Sequence, residues 1–220
     1  MGNSEVPIER FPALEAAGAR HGFVRRVPGI AVDIEKAVVL RNLDQVHQQA
    51  RAELGLAQHA FITARQVHGD EIAIVDSPPP GDVCFEGADG IVTNQRNVCL
   101  GIYVADCCAI YLVDRQERAI GLVHSGRKGT ELGIAARAIE VMESAFGVAP
   151  RDLIVQLSPC IRPPHYEVDF AAEIVGQCRA HGVLDVTDSG ICTACDLHSY
   201  YSYRAEKART GRMLALLSLN

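Results

Sequence analysis

Two short apolar runs, Ala109-Ile-Tyr-Leu-Val113 and Ala119-Ile-Gly-Leu-Val123, restrict what this chain can become more than any other stretch. Both are rich in β-branched and aromatic residues, and the polar tetrapeptide Asp114-Arg-Gln-Glu117 separates them. They read as a β-hairpin with a four-residue tip. With that tip Val113 pairs with Arg118, and the ladder sets Cys107 opposite His124. Cross-strand partners hold their Cβ atoms about 4.5–5.5 Å apart, near enough to share a metal or a proton. Alternation along the strand turns Cys108 to the other face, and a slip of one residue exchanges the two cysteines.

Three segments carry the donor chemistry: Gln66-Val67-His68-Gly69, Ala105-Asp106-Cys107 and His124-Ser125-Gly126. Two imidazoles and a thiolate (His68, Cys107 and His124) are a sensible ligand set for one Zn²⁺ with an open fourth position. Asp106 can orient His68 or His124 by accepting a ring N–H, or it caps its own turn. Taken singly, His68 is a turn histidine and Cys107 a small buried hydrophobe. After His124, Gly126-Arg127-Lys128-Gly129-Thr130 enters a helix, where free N–H groups and two basic side chains make an anion site. A solvated basic turn is the competing reading. Arg25, Arg26, Arg204 and Arg212 are further cations that the fold must place.

With 220 residues, 48% of them hydrophobic, the chain can bury a large core, and no linker or repeat divides it, so one domain over residues 1–220 is expected. A net charge of −6 without a basic stripe argues against nucleic acid as a partner. No stretch approaches a membrane span, and Met1–Pro12 lacks the apolar core of a signal peptide. The eight scattered cysteines then fit reduced thiols in the cytoplasm. Cys192-Thr-Ala-Cys195 has redox or zinc spacing but no second such pair, so it reads as ordinary buried cysteines near a strand end.

Helical spacing runs from Asn42 to Leu54, with Gly55 as the stop and His47 exposed or half-buried on it. An entry loop at Phe11–Leu14 precedes a strand at His21–Arg26. Strands are expected at Ala60–Ala64, Glu71–Val75, Ala88–Thr93, Val98–Val104, Leu153–Leu157 and Met213–Leu219. A second helix carries the stripe Leu132, Ala135, Ala136, Ile139, Met142 and Phe146 up to Gly147, and a third lies around Phe170–His181. Many strands and few helices, without regular βαβ alternation, indicate an α+β fold.

An ordered series of motifs then points to a family. It comprises His21-Gly-Phe, Gln66-Val-His-Gly69, Gly87-Ala-Asp-Gly-Ile-Val-Thr93, Ala105-Asp-Cys107, Leu112-Val-Asp114, His124-Ser-Gly126 with Lys128-Gly-Thr130, and Ser158-Pro-Cys-Ile161 with Tyr166-Glu-Val168. Cys192-Thr193, Ser202-Tyr-Arg204 and Thr210-Gly-Arg212 complete it. Over nearly its whole length the chain resembles the multicopper polyphenol oxidase (laccase-like) family. That family is also called the peptidoglycan editing factor family and includes bacterial relatives of the purine nucleoside enzyme FAMIN.

The resemblance implies a mixed α/β sandwich related to the catalytic domain of cytotoxic necrotizing factor toxins. It implies a metal or catalytic site at His68, Cys107 and His124. The implied activity is phosphorolysis of adenosine, inosine and S-methyl-5′-thioadenosine, with adenosine deamination second, at zinc or less readily copper. Nucleoside and phosphate are the implied partners, with Arg26, Gln66, Arg127 and Lys128 as the binding residues. Rival readings are a metal-free Cys–His hydrolase or deamidase, a copper polyphenol oxidase, and a non-catalytic binder of nucleoside or wall precursor. Two departures bear on substrate packing: Arg127 stands where the family has tryptophan, and the Val168–Cys192 region looks shortened, without the family's Asp-Leu-x-x-Ala-Asn helix.

Overall fold

The structure is a computed structural model and describes residues 6–32 and 34–220. The first of two six-stranded sheets runs in the order β1 (Ile8–Glu9), β2 (Arg20–Val24), β12 (Met213–Ser218), β7 (Val98–Val104), β3 (Ala60–Arg65) and β5 (Val83–Glu86). The second runs β11 (Asp185–Asp188), β10 (Leu153–Leu157), β8 (Cys108–Asp114), β9 (Ile120–Ser125), β6 (Gly90–Thr93) and β4 (Ile72–Val75). Each sheet mixes parallel and antiparallel pairs.

The helices are α1 (Pro12–Ala16), α2 (Lys36–Glu53), α3 (Arg127–Glu131), α4 (Ile134–Phe146) and α5 (Phe170–Ala180). Between the sheets lies a core that includes Tyr111, Leu122, Ile62, Leu100, Ile102 and Leu217. Ile110, Leu112 and Val155 on the other face of the second sheet pack against Ala138, Ile139 and Met142 of α4 and Ile174 of α5. Ala50 of α2 and Leu54 just after it cover Leu214 and Leu216 on the outer face of the first sheet. A sheet buried on both faces reads as continuous apolar sequence, as β7, β8 and β12 do. Among the described residues no helix is long and apolar enough to cross a membrane.

The β8–β9 hairpin forms, two residues out of the expected register. Val113 pairs with Ile120, and Ala109 with His124, so Cys107 does not stand directly opposite His124. Arg118 belongs to the turn, because the buried Asp114 carboxylate accepts from its backbone N–H at 3.0 Å and from its guanidinium at 2.6 and 2.9 Å. A shift of two preserves alternation. Cys107 and His124 therefore stay on one face as diagonal neighbours, while Cys108 is buried on the other, with its thiol toward the Ser158 carbonyl.

Other differences have local causes. Pro12 opens α1 where a loop was expected, since proline suits the first turn of a helix. Short strands β5 and β11 escape the sequence pattern because they are sheet edges, paired on one side only, with no continuous apolar run. Gly133, at φ 77°, breaks the expected long helix into α3 and α4 and leaves Leu132 of the predicted stripe exposed. The helix α2 begins at Lys36, and His47 on it is buried, contrary to expectation. The helix expected around Phe170–His181 forms as α5, its first turn capped by Asp169 accepting from the Ala172 N–H.

Candidate metal centre and substrate cleft

Asp89 organises the site. It immediately precedes β6, and its carbonyl receives the His124 N–H at 2.7 Å, which brings its side chain beside the end of β9. The fully buried carboxylate accepts the backbone N–H groups of Val67, His68 and Gly69 at 3.0, 2.9 and 2.8 Å. These bonds fix the turn that holds His68 at φ 61°, a left-handed conformation that non-glycine residues seldom adopt. The same carboxylate lies 2.8 Å from Nδ1 of His124. An ionised carboxylate can only accept, so Nδ1 carries the proton and Nε2 is left to face the cleft. Burial alone would raise the Asp89 pKa, but the His124 hydrogen bond and the turn N–H groups hold it below the usual carboxylate range.

Cys107 completes a trio with the two imidazoles. Gly126 lies beside it, where an added Cβ would sit 2.6 Å from Cys107 Sγ, so only glycine leaves room for the thiol. The His68 and His124 rings meet edge to face with centroids 4.8 Å apart, and the donor atoms of His68, Cys107 and His124 all lie within 4.8 Å of one another. Burial would raise the Cys107 pKa, but hydrogen bonds from His124 and His68 bring it down to about 6. His124 shows the converse: burial opposes its charge, yet Asp89 and Cys107 raise it to about 9. One borderline-soft donor set, with one ring fixed by a carboxylate, fits a zinc-class cation.

Asp106 does not orient either ring. Its backbone is left-handed at φ 79°, and its carboxylate accepts from Thr193 Oγ1 at 2.7 Å and from the Arg204 N–H at 2.7 Å. Asp106 thus ties two distant loops to the residue before Cys107. The ring acceptor is Asp89, which by sequence pattern alone is an ordinary strand start. A carboxylate opening a fully buried strand was the available signal, because a buried charge must be partnered.

The trio sits in a cleft of about 890 Å³. Gln66 lines it, but its amide is bonded to the Tyr103 backbone, donating to the carbonyl at 2.8 Å and accepting the N–H at 3.3 Å. Arg127 and Lys128 line it from exposed positions, with Arg127 Nε held 2.8 Å from Glu131. Arg26 does not line the cleft. Its guanidinium pairs with Glu206, donates to the Tyr200 carbonyl at 3.1 Å and stacks on the Tyr201 ring at 4.5 Å. The fold brings in Arg204 and Arg212 instead. Burial lowers the Arg212 pKa, which the neighbouring Cys107 opposes. Tyr103, Tyr166 and Tyr203 add aromatic faces to which the sequence assigned no role, and Arg204 lies 5.0 Å over the Tyr166 ring.

Cys192 and Cys195 are not buried strand-end residues: the first is half-buried, the second exposed, and His165 lies beside both.

The family described as multi-copper polyphenol oxidoreductase laccase matches residues 28–177 and 169–220. A purine nucleoside phosphorylase of Deinococcus radiodurans is 31% identical, over 97% of this chain and 93% of its own. The purine nucleoside phosphorylase Rv2149c of Mycobacterium tuberculosis is 29% identical, over 98% and 94%. The crystal structure of YlmD from Geobacillus stearothermophilus shares the fold with a TM-score of 0.86 and 23% identity, covering 100% of this chain and 98% of that one. With the motifs, the two-sheet fold and the family match agreeing along the chain, this protein belongs to the multi-copper polyphenol oxidoreductase laccase family.

Proposed function

We propose that the chain is a purine nucleoside phosphorylase, converting adenosine, inosine or S-methyl-5′-thioadenosine and phosphate into the free base and the pentose 1-phosphate. The observation that carries this reading is the convergence of His68, Cys107 and His124 in a cleft lined by tyrosines and cations, among them Lys128, which makes no ion pair among the described residues. Relatives named purine nucleoside phosphorylase supply the reaction class. His68, Cys107 and His124 would hold zinc, which when bound supplies Lewis acidity at an open coordination position. Lys128 and Arg212 hold the phosphate, and the tyrosine rings pack the base and sugar. Asp89 keeps the His124 proton on Nδ1 and so keeps Nε2 directed into the cleft. Adenosine deamination, giving inosine and ammonia, is the secondary activity. Eight unpaired thiols suit a cytoplasmic setting.

A metal-free Cys–His hydrolase, as in the toxin likeness, has one observation of its own. The Cys107 thiol is held at about 6 beside a histidine raised to about 9, the pattern of a thiolate nucleophile and its base. Product analysis separates the readings. Adenosine with phosphate should give adenine and ribose 1-phosphate, and without phosphate only slow formation of inosine. Metal stripping or Cys107→Ala should cut phosphorolysis more than about 100-fold, beyond what losing an outer-shell partner of a metal costs. Full turnover by stripped protein refutes the zinc mechanism. Amide hydrolysis insensitive to chelators supports the hydrolase, phenol oxidation that requires copper supports the oxidase, and no turnover at all supports a binder.

A further inference from the structure

We propose that His165, Cys192 and Cys195 form a second soft-metal site, holding one zinc-class divalent cation that staples two irregular loops at the wall of the cleft. Nδ1 of His165 lies 3.4 Å from Cys195 Sγ and 3.8 Å from Cys192 Sγ, and all three donor atoms lie within 4.8 Å of one another. Tetrahedral zinc with Zn–S near 2.3 Å and Zn–N near 2.05 Å separates its nitrogen and sulfur donors by about 3.6 Å. The observed pair of distances straddles that value. A single ring nitrogen hydrogen-bonds one sulfur at a time, whereas a cation between the three satisfies them together.

Local backbone presets the arrangement. The Cys195 N–H donates to the Cys192 carbonyl at 3.1 Å, closing a turn that presents both thiols on one side, as the Cys-x-x-Cys spacing requires. The His165 N–H donates to Arg162 at 2.9 Å, and an isolated bridge joins Cys160 to Cys192. His165 and Cys195 are exposed, so the fourth coordination position falls to solvent.

The site shares no ligand with the His68–Cys107–His124 trio but is tied to it mechanically. Thr193, between the two cysteines, bonds Asp106, the neighbour of Cys107. Tyr166, next to His165, and Arg204 stacked on it both line the cleft. Cysteine and histidine are contributed by loops without regular structure, and a metal crosslink is what such loops otherwise lack.

Zinc titration under a phosphine reductant, read by native mass spectrometry, tests the proposal. Wild type should bind two equivalents. Cys195→Ser and His165→Ala, both changes at exposed side chains, should each lose one, and Cys107→Ala should lose the other. A single equivalent abolished by Cys195→Ser keeps this proposal and refutes metal at the trio; a single equivalent abolished by Cys107→Ala overturns this proposal and keeps the trio. Two equivalents retained in Cys195→Ser overturn it as well. Zinc should also slow iodoacetamide labelling of Cys192 and Cys195 at least tenfold in wild type and not in His165→Ala. Labelling that zinc does not slow, or a Cys192–Cys195 disulfide that persists in reductant, overturns the assignment.

Discussion

Two regions of this molecule each bury a histidine to the same 3% exposure, and they use it in opposite ways. At the end of β9, His124 meets the Asp89 carboxylate and the Cys107 thiol, and its pKa rises to about 9. On α2, His47 lies against the Tyr103 ring, 5.6 Å between centroids, with its Nε2 lacking a hydrogen-bond partner among the described residues. Burial pushes His47 down to about 4. Depth alone therefore says nothing about chemistry. The partner decides it: a carboxylate holds the Nδ1 proton of one ring and turns its other nitrogen to the cleft, while the unpartnered ring is a neutral packing element.

The comparison breaks most sharply at Asp89. Asp89→Ala leaves three turn N–H groups and the His124 ring without their acceptor, so urea unfolding should show a loss of about 3–5 kcal/mol. A loss under about 1 kcal/mol would mean that His124 is held by packing, like His47. The second measurement concerns His47 itself. Its folded pKa of about 4 lies below the unfolded value of 6.5, so the unfolded chain binds the proton first as pH falls. Its contribution is present above pH 6.5 and is lost as pH falls towards 4. Relative to His47→Leu, wild type should lose about 3 kcal/mol across that window. Parallel stability curves for the two proteins would show His47 charged in the fold.

The same rule, that a group with its bonds taken is structural, sorts the cations. Lys128 makes no ion pair among the described residues, Arg127 is paired with Glu131, and Arg26 is tied to Glu206 and stacked on Tyr201. Lys128→Ala should raise the phosphate KM about tenfold, the worth of one charge-assisted hydrogen bond. Arg127→Ala should raise it less, and Arg26→Ala not at all at matched folding. An Arg26→Ala effect as large as that of Lys128 would place Arg26 in the anion site. A small effect of opposite sign is expected from Arg127→Trp. Adding an aromatic face to the cleft should lower the nucleoside KM a few-fold, in line with about 0.5–1.5 kcal/mol for an aromatic contact. An unchanged KM would mean that position 127 lies too far out to touch the base.

Local patterning determined a good part of this protein. Continuous apolar runs specified β7, β8, β9, β10 and β12, and the period-two rule placed Cys107 and Cys108 on opposite faces even though the hairpin register is off by two. Alternation tolerates a shift of two, which is why the face survived and the pairing did not. Tertiary structure alone decided the rest. Asp89 ties the His124 ring to the backbone of the His68 turn, 56 residues away in the chain, because β6 pairs with β9, and no window of sequence contains that pairing. Asp106 spends its carboxylate on Thr193 and Arg204, from a loop some 90 residues away, and so is unavailable to either ring. Arg26 and Arg212 are equally basic in sequence, yet loop packing neutralises one against Glu206 and brings the other beside Cys107. Periodicity is a property of neighbours along the chain and can be read there, whereas the partner of a buried charge is set by which strands and loops meet.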